Sequence, residues 1–164
     1  MIDAQTRALA EHVLAACRAR GWTLATAESC TGGLVAGALT EIAGSSDVVD
    51  RGFVTYSNEA KMGVLGVNSD VLDTFGAVSI ATAWAMAQGA LKHSRADVAV
   101  AISGIAGPNG GSEQKPVGTV VFARALRDAP EGEDSEAEER RFADTTRAGV
   151  RLQAALVALE LLLP

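Results

Sequence analysis

Val98-Ala99-Val100-Ala101-Ile102 is a near-continuous apolar run that ends at Ser103. A strand wetted on one side alternates apolar with polar residues. A run without alternation belongs to a strand covered on both faces, at the centre of a sheet with helices on either side. C-terminal to it, a glycine-rich stretch from Gly104 to Gly118 leads to a second strand, Thr119-Val120-Val121-Phe122-Ala123. N-terminal to it, Ser79 stands where a helix cap belongs, and Ile80, Trp84, Ala87 and Leu91 recur on one helical face. Farther out lie Phe53-Val54-Thr55-Tyr56, a strand, and Ser57-Asn58, a cap for a helical stretch from Glu59 to Leu65. Trp22 to Ala27 reads as a short buried strand. A helix follows from about Thr31 to Ala43, with Leu34, Ala38, Leu39 and Ile42 on one face and Gly44 beyond its end. Residues 3–20 form a first helix, carrying Leu9, Val13 and Cys17, stopped by Gly21; residues 146–163 form a last, Leu- and Ala-rich one. Helices alternating with strands predict a three-layer α/β/α sandwich around a mixed, mostly parallel sheet, in a single domain over residues 1–164. The acidic segment Arg127 to Glu139, with Pro130 and Gly132, predicts an exposed hairpin connection or mobile loop.

The net charge of −6 argues against a nucleic-acid surface, because neutralising phosphates takes clustered Lys and Arg. No apolar run approaches the ~18–20 residues that cross a bilayer, and residues 1–5 show no basic-then-apolar leader, so the expectation is a cytoplasmic protein that binds no membrane. Two histidines and two cysteines leave little material for a metal site or a disulfide framework, and no metal is expected. Cys17, in an apolar helical stripe, reads as a reduced core residue.

Chemistry concentrates in three segments. Ala27-Glu28-Ser29-Cys30-Thr31-Gly32-Gly33 joins a strand to a helix, and its glycines let the backbone turn tightly and approach a ligand. Free N–H groups at a helix start favour an anion or a developing oxyanion, so a serine there suits acyl transfer. The same serine is equally what a helix cap requires. Neither His12 nor His93 has polar companions that would make it the base, and the Gly-x-Ser-x-Gly elbow is absent. Tyr56-Ser57-Asn58-Glu59-Ala60-Lys61 offers another base: a desolvated, neutral lysine can take the serine proton, and a tyrosine can relay it. Spacing alone also allows Asn58 as a cap and Lys61 as a solvated surface lysine. The third segment, Ser103-Gly104-Ile105-Ala106-Gly107-Pro108-Asn109-Gly110-Gly111, follows a buried strand and could wrap a ligand with backbone donors, or be a long turn. Cys30 is a rival nucleophile without a neighbour to lower its pKa.

Taken together, TAESCTGG (26–33), RGFVTYSNEAK (51–61), GAVS (76–79) and SGIAGPNGGSEQKPVGTV (103–120) closely resemble the nicotinamide-nucleotide amidase family. That family also occurs as the C-terminal domain of the competence/damage-inducible protein CinA. The resemblance covers most of the chain and implies deamidation of nicotinamide mononucleotide to nicotinate mononucleotide and ammonia, in pyridine nucleotide recycling. It implies Ser29 as nucleophile, Tyr56 as relay and Lys61 as base. It also implies substrate contacts at Thr31, Gly32, Gly33, Gly104, Ala106, Gly107 and Arg147, a nucleotide substrate, no cofactor, and a homodimer. The N-terminal domain of fuller CinA proteins has no counterpart, so a stand-alone enzyme is expected. Two departures stand out: the acidic 127–139 segment, and Thr145-Thr146-Arg147 where relatives commonly carry Gly-Asp-Arg. Arg147 keeps the position that could pair with the substrate phosphate. The competing function is a non-catalytic nucleotide-binding or regulatory module, which would need the glycine loops but not Ser29 and Lys61; a peptidase or lactamase using the same pair is a further rival.

Overall fold

The computed structural model describes residues 2–129 and 136–164. In chain order the elements are α1 (Ala4–Arg20), β1 (Leu24–Glu28), α2 (Leu34–Thr40), a 3₁₀ turn (Ser45–Asp47), β2 (Val49–Val54), α3 (Asn58–Leu65), α4 (Ser69–Phe75), α5 (Ile80–Lys92), β3 (Val98–Gly104), β4 (Thr119–Leu126), β5 (Glu136–Arg141) and α6 (Arg147–Leu161). The sheet order is β2-β1-β3-β4-β5. The three strands β2-β1-β3 run parallel, while β4 and β5 extend the sheet antiparallel. This is the expected three-layer α/β/α arrangement on a mixed sheet.

The pleat sorts β3 into two faces with different side-chain sizes. Val98, Val100 and Ile102 join Leu24, Val120 and Phe122 under α1, α2 and α6. Ala99 and Ala101 join Ala25, Ala27, Ala123 and Ala125 under α5. An alanine surface lets a helix lie close, and α5 answers with Ala83, Ala87 and Ala90. α5 is packed as tightly on its other neighbour: a Cβ added at Gly89 would run into the main-chain carbonyl of Leu65 in α3. Gly89→Ala is therefore expected to destabilise the protein by about 1–3 kcal/mol through overpacking. A urea midpoint unchanged from wild type would contradict this close contact.

Several boundaries differ from the sequence reading. β1 begins and ends later than expected, so Glu28 is its last residue and is fully buried. α2 starts at Leu34, leaving Thr31 to Gly33 in a turn. β2 ends at Val54, which places Tyr56 in the connection to α3 rather than in a strand. Gly104 is the last residue of β3, paired with Val120, not the first of a loop. α4 was not foreseen; Asn68 caps it by accepting from the Asp70 N–H. The expectation of a loop over 127–139 is corrected in part, because Glu136 to Glu139 belong to β5. That strand is exposed along most of its length and strongly charged, so it carries no apolar alternation. Charge at a sheet edge also discourages pairing with another chain. Residues 130–135 of the same segment lie outside the described residues.

α2 and α5 cover opposite faces of the sheet. The connections leaving β1 and β2 thus diverge to opposite faces at the carboxyl ends of these two neighbouring strands. In open α/β sheets such a divergence opens a crevice where ligands bind.

Candidate active site

The segments expected to carry chemistry meet at that edge: Ser29 follows β1, Tyr56 and Lys61 follow β2, and Gly104 to Gly107 follow β3. Ser29 is held to the sheet by its N–H, which donates to the Ile102 carbonyl at 2.9 Å, while the Thr55 N–H donates to the Glu28 carbonyl at 2.9 Å. The first bond continues the ladder one residue past β1 and the second one residue past β2, which locks the two loops side by side.

Lys61 lies in the first turn of α3, which Ser57 caps by accepting from the Ala60 N–H. Its side chain turns inward and is only 1% exposed, so the alternative of a solvated surface lysine is not what the fold adopts. Its Nζ stands 3.0 Å from Ser29 Oγ, 3.0 Å from the Thr55 carbonyl and 3.2 Å from the Tyr56 carbonyl. Removal from water favours the uncharged amine and holds the Lys61 pKa below the ordinary lysine range; a Cys30 thiolate would oppose this, as the lesser influence. A neutral amine has two N–H donors and one lone pair. Two carbonyls can only accept, so they take both N–H groups, which leaves the lone pair for the serine hydroxyl. This is the arrangement a general base requires.

Ser29 is not the helix cap that its position allowed. The buried Glu28 carboxylate takes that role, accepting from the N–H groups of Val35 at 2.9 Å and Ala36 at 3.1 Å and from the Thr31 hydroxyl at 2.7 Å. Ser29 Oγ is left to Lys61 at 3.0 Å and, more weakly, to the Tyr56 carbonyl at 3.5 Å. Cys30 is buried, and desolvation pushes its thiol up to about 11, so it stays protonated and a poor nucleophile near neutrality.

Tyr56 contributes in a way the sequence did not suggest. Its carbonyl touches Lys61, but the residue is 61% exposed and its phenol accepts a hydrogen bond from Arg147 Nη2 at 3.2 Å. Among the described residues no hydrogen bond joins the phenol to Ser29 or Lys61. Arg147, the first residue of α6, also donates from Nη1 to the Gly107 carbonyl at 2.7 Å. It therefore ties the β2–α3 and β3–β4 connections together. Gly107 and Ala106 are buried at the start of the latter, and the Ile105 N–H is engaged by the Thr119 carbonyl.

In the turn after Ser29, the Gly32 N–H donates to the Ser29 carbonyl at 3.0 Å and the Leu34 N–H to the Thr31 carbonyl at 3.1 Å. Gly32 and Gly33 both adopt left-handed φ values, +59° and +101°, which only glycine takes up without strain. Thr31 is wholly buried, with its hydroxyl on Glu28. Among the described residues, the N–H groups of Thr31 and Gly33 have no hydrogen-bond acceptor, while the Cys30 N–H lies against its own thiol. Two residues here escaped the sequence reading. Glu28 is the charged last residue of a short, fully buried strand. Arg151, which binds the Cys30 and Thr31 carbonyls, stands one helical turn beyond Arg147 in an apolar helix.

The family profile described as the CinA C-terminal domain matches residues 6–164. The "Nicotinamide-nucleotide amidohydrolase PncC" of Escherichia coli K12 is 54% identical over 162 residues, which span 99% of this chain and 95% of that protein. The protein of the same name from Enterobacter agglomerans is 50% identical over 98% of this chain and 94% of its own length. Among solved structures, the competence/damage inducible protein CihA from Agrobacterium tumefaciens superposes with a TM-score of 0.93 at 51% identity, covering 99% of this chain and 96% of that one.

Proposed function

This chain belongs to the CinA C-terminal domain family, and on that premise we propose that it is a nicotinamide-nucleotide amidohydrolase. It converts nicotinamide mononucleotide to nicotinate mononucleotide and ammonia, with Ser29 as nucleophile and Lys61 as base. The substrate class rests on the names of its relatives. The observation that carries the chemistry is the buried Lys61 amine 3.0 Å from Ser29 Oγ, with two carbonyls as its other partners.

In the first half-reaction the Ser29 proton passes to Lys61 Nζ as Oγ bonds to the carboxamide carbon. Main-chain N–H groups of the turn 30–33 stabilise the resulting oxyanion. Lys61 then returns the proton to the departing nitrogen, the C–N bond breaks, and ammonia leaves an ester on Ser29. In the second half-reaction Lys61 draws a proton from water, which attacks the ester; Ser29 recovers its proton and nicotinate mononucleotide departs. The 3.0 Å separation lets the proton pass directly, so we assign Tyr56 a main-chain role on Lys61 and a phenolic role beside Arg147 in place of the relay. No metal takes part in this scheme.

Arg147 is the cation placed for the substrate phosphate, supported by its exposed position at the N-terminus of a 15-residue helix, where the helix dipole also favours an anion. The family reading further makes the protein a cytoplasmic homodimer in pyridine nucleotide recycling. Consistent with that location, no helix among the described residues is long and apolar enough to cross a membrane.

Ammonia release from nicotinamide mononucleotide, nicotinamide riboside and nicotinamide, measured side by side, tests the substrate. We expect the mononucleotide to have the highest kcat/KM, with loss of the phosphate costing on the order of 10-fold or more, the scale of one charge-assisted contact. Equal rates on the mononucleotide and the riboside would remove Arg147 from the phosphate. Activity confined to nicotinamide would overturn the nucleotide assignment.

A further inference from the structure

Resting on the assignment of Arg147 to the substrate phosphate, we propose that the Tyr56 hydroxyl is a second phosphate donor, which selects the nucleotide over the nucleoside. Tyr56 lies in the connection after β2 and Gly107 in the connection after β3. In the sheet, β1 runs between those two strands, and Ser29 follows β1. Arg147 bridges the flanking connections, with Nη1 on the Gly107 carbonyl at 2.7 Å and Nη2 on the Tyr56 phenol at 3.2 Å. The bridge therefore crosses the carboxyl end of β1, the edge from which Ser29 emerges. Gly107 is buried, so one end of the bridge is fixed to the body of the protein. The other end is open: Tyr56 and Arg147 are both exposed, whereas Ser29 is only 7% exposed. A ligand with its reacting group at Ser29 can thus keep a second group on this pair.

The bonding of the pair leaves what an anion needs. A guanidinium is all donors and never loses its charge. Arg147 spends two N–H groups on neutral oxygens, and among the described residues no carboxylate pairs with it. The phenol oxygen receives the Nη2 N–H, so its own proton must point elsewhere, and among the described residues that proton has no acceptor. Two donors side by side, one of them cationic, suit two oxygens of one phosphate. Hydrogen bonds to ionised oxygens are the strong kind. The same residue also fixes where the phosphate stands. The Tyr56 carbonyl accepts from Lys61 Nζ at 3.2 Å and lies 3.5 Å from Ser29 Oγ. Tyr56 thus touches the base through its main chain and reaches the mouth of the site through a rigid ring. That ring separates the phosphate donor from the dyad, as the ribose separates phosphate from carboxamide in the nucleotide. A nucleoside reaches the dyad but leaves Arg147 and the hydroxyl to water.

Tyr56→Phe removes one oxygen from an exposed ring and keeps the main chain that holds Lys61. The test compares kcat/KM for nicotinamide mononucleotide with that for nicotinamide riboside. The ratio of the two is expected to shrink about 5-fold in Tyr56→Phe, the scale of an exposed hydrogen bond, chiefly through a higher KM for the mononucleotide. Arg147→Met should shrink it as well, and the tyrosine change should matter less in that background. A lower kcat on both substrates with the ratio unchanged would return the phenol to proton relay and overturn the proposal. A readout free of turnover exists because Tyr56 is the only tyrosine of the chain. Isotope-labelled at tyrosine Cζ, the protein gives one such NMR resonance. At saturation with the product, nicotinate mononucleotide, that resonance should move farther than with nicotinate riboside. Equal movement with both, or none with the mononucleotide, would overturn the proposal. Should the wild-type protein release no ammonia from any nicotinamide nucleotide, the amidase reading falls by itself. The same titration then still decides whether Tyr56 and Arg147 take a phosphate.

Discussion

Ser29→Ala is expected to lower amide hydrolysis on the order of 10³-fold or more while leaving thermal unfolding close to wild type. The two halves of that expectation come from different features. Activity is lost because the attacking oxygen is gone. Stability is kept because Ser29 Oγ receives no main-chain N–H, and α2 is capped by Glu28 instead. Cys30→Ala is the companion variant. Its thiol is buried and pushed up to about 11, so activity should persist within a few-fold. An active Ser29→Ala protein beside an inactive Cys30→Ala one would reverse the nucleophile assignment.

Lys61→Arg should be as inactive as Lys61→Ala, because a guanidinium stays protonated and cannot take the serine proton. Arginine is also larger, and Lys61 is among the largest fully buried side chains, so Lys61→Met serves as the variant of similar volume and should be inactive in a folded protein. The pH dependence follows in sign from burial. Desolvation lowers the Lys61 pKa, so the neutral, base-competent amine becomes populated below the ~10.4 of a free lysine. kcat/KM should therefore rise with pH through one ionisation below that value and level off above it. A rate that falls over that interval, or a Lys61→Arg enzyme with substantial kcat, would remove the dyad.

The fold was legible because its central strand has an unusual composition. Val98 to Ile102 could only be covered on both faces, and Ser57 and Ser79 marked helix starts that the structure keeps. What periodicity could not give was β5, whose Glu136 to Arg141 stretch lies at a sheet edge and pairs through its main chain with little burial. The site was legible as three segments but not as a geometry. Sequence spacing left Ser29 as nucleophile or cap, and Lys61 as base or solvated surface residue. The deciding facts are tertiary: Glu28 occupies the cap, and the β2–α3 turn directs Lys61 inward across 32 positions of sequence onto Ser29. Arg151 was invisible for the same reason, since its partners are carbonyls some 120 positions away.

The measurement that tests the Ser29–Lys61 amidase most directly is a single-turnover reaction with enzyme in excess over nicotinamide mononucleotide. Samples are quenched in acid over time and their peptides read by mass spectrometry. The account predicts that a nicotinate mononucleotide ester appears on the peptide carrying Ser29, at the side chain of Ser29, and decays as free product forms. Product formation with no adduct at any quench time, or with the adduct on Cys30, would contradict it.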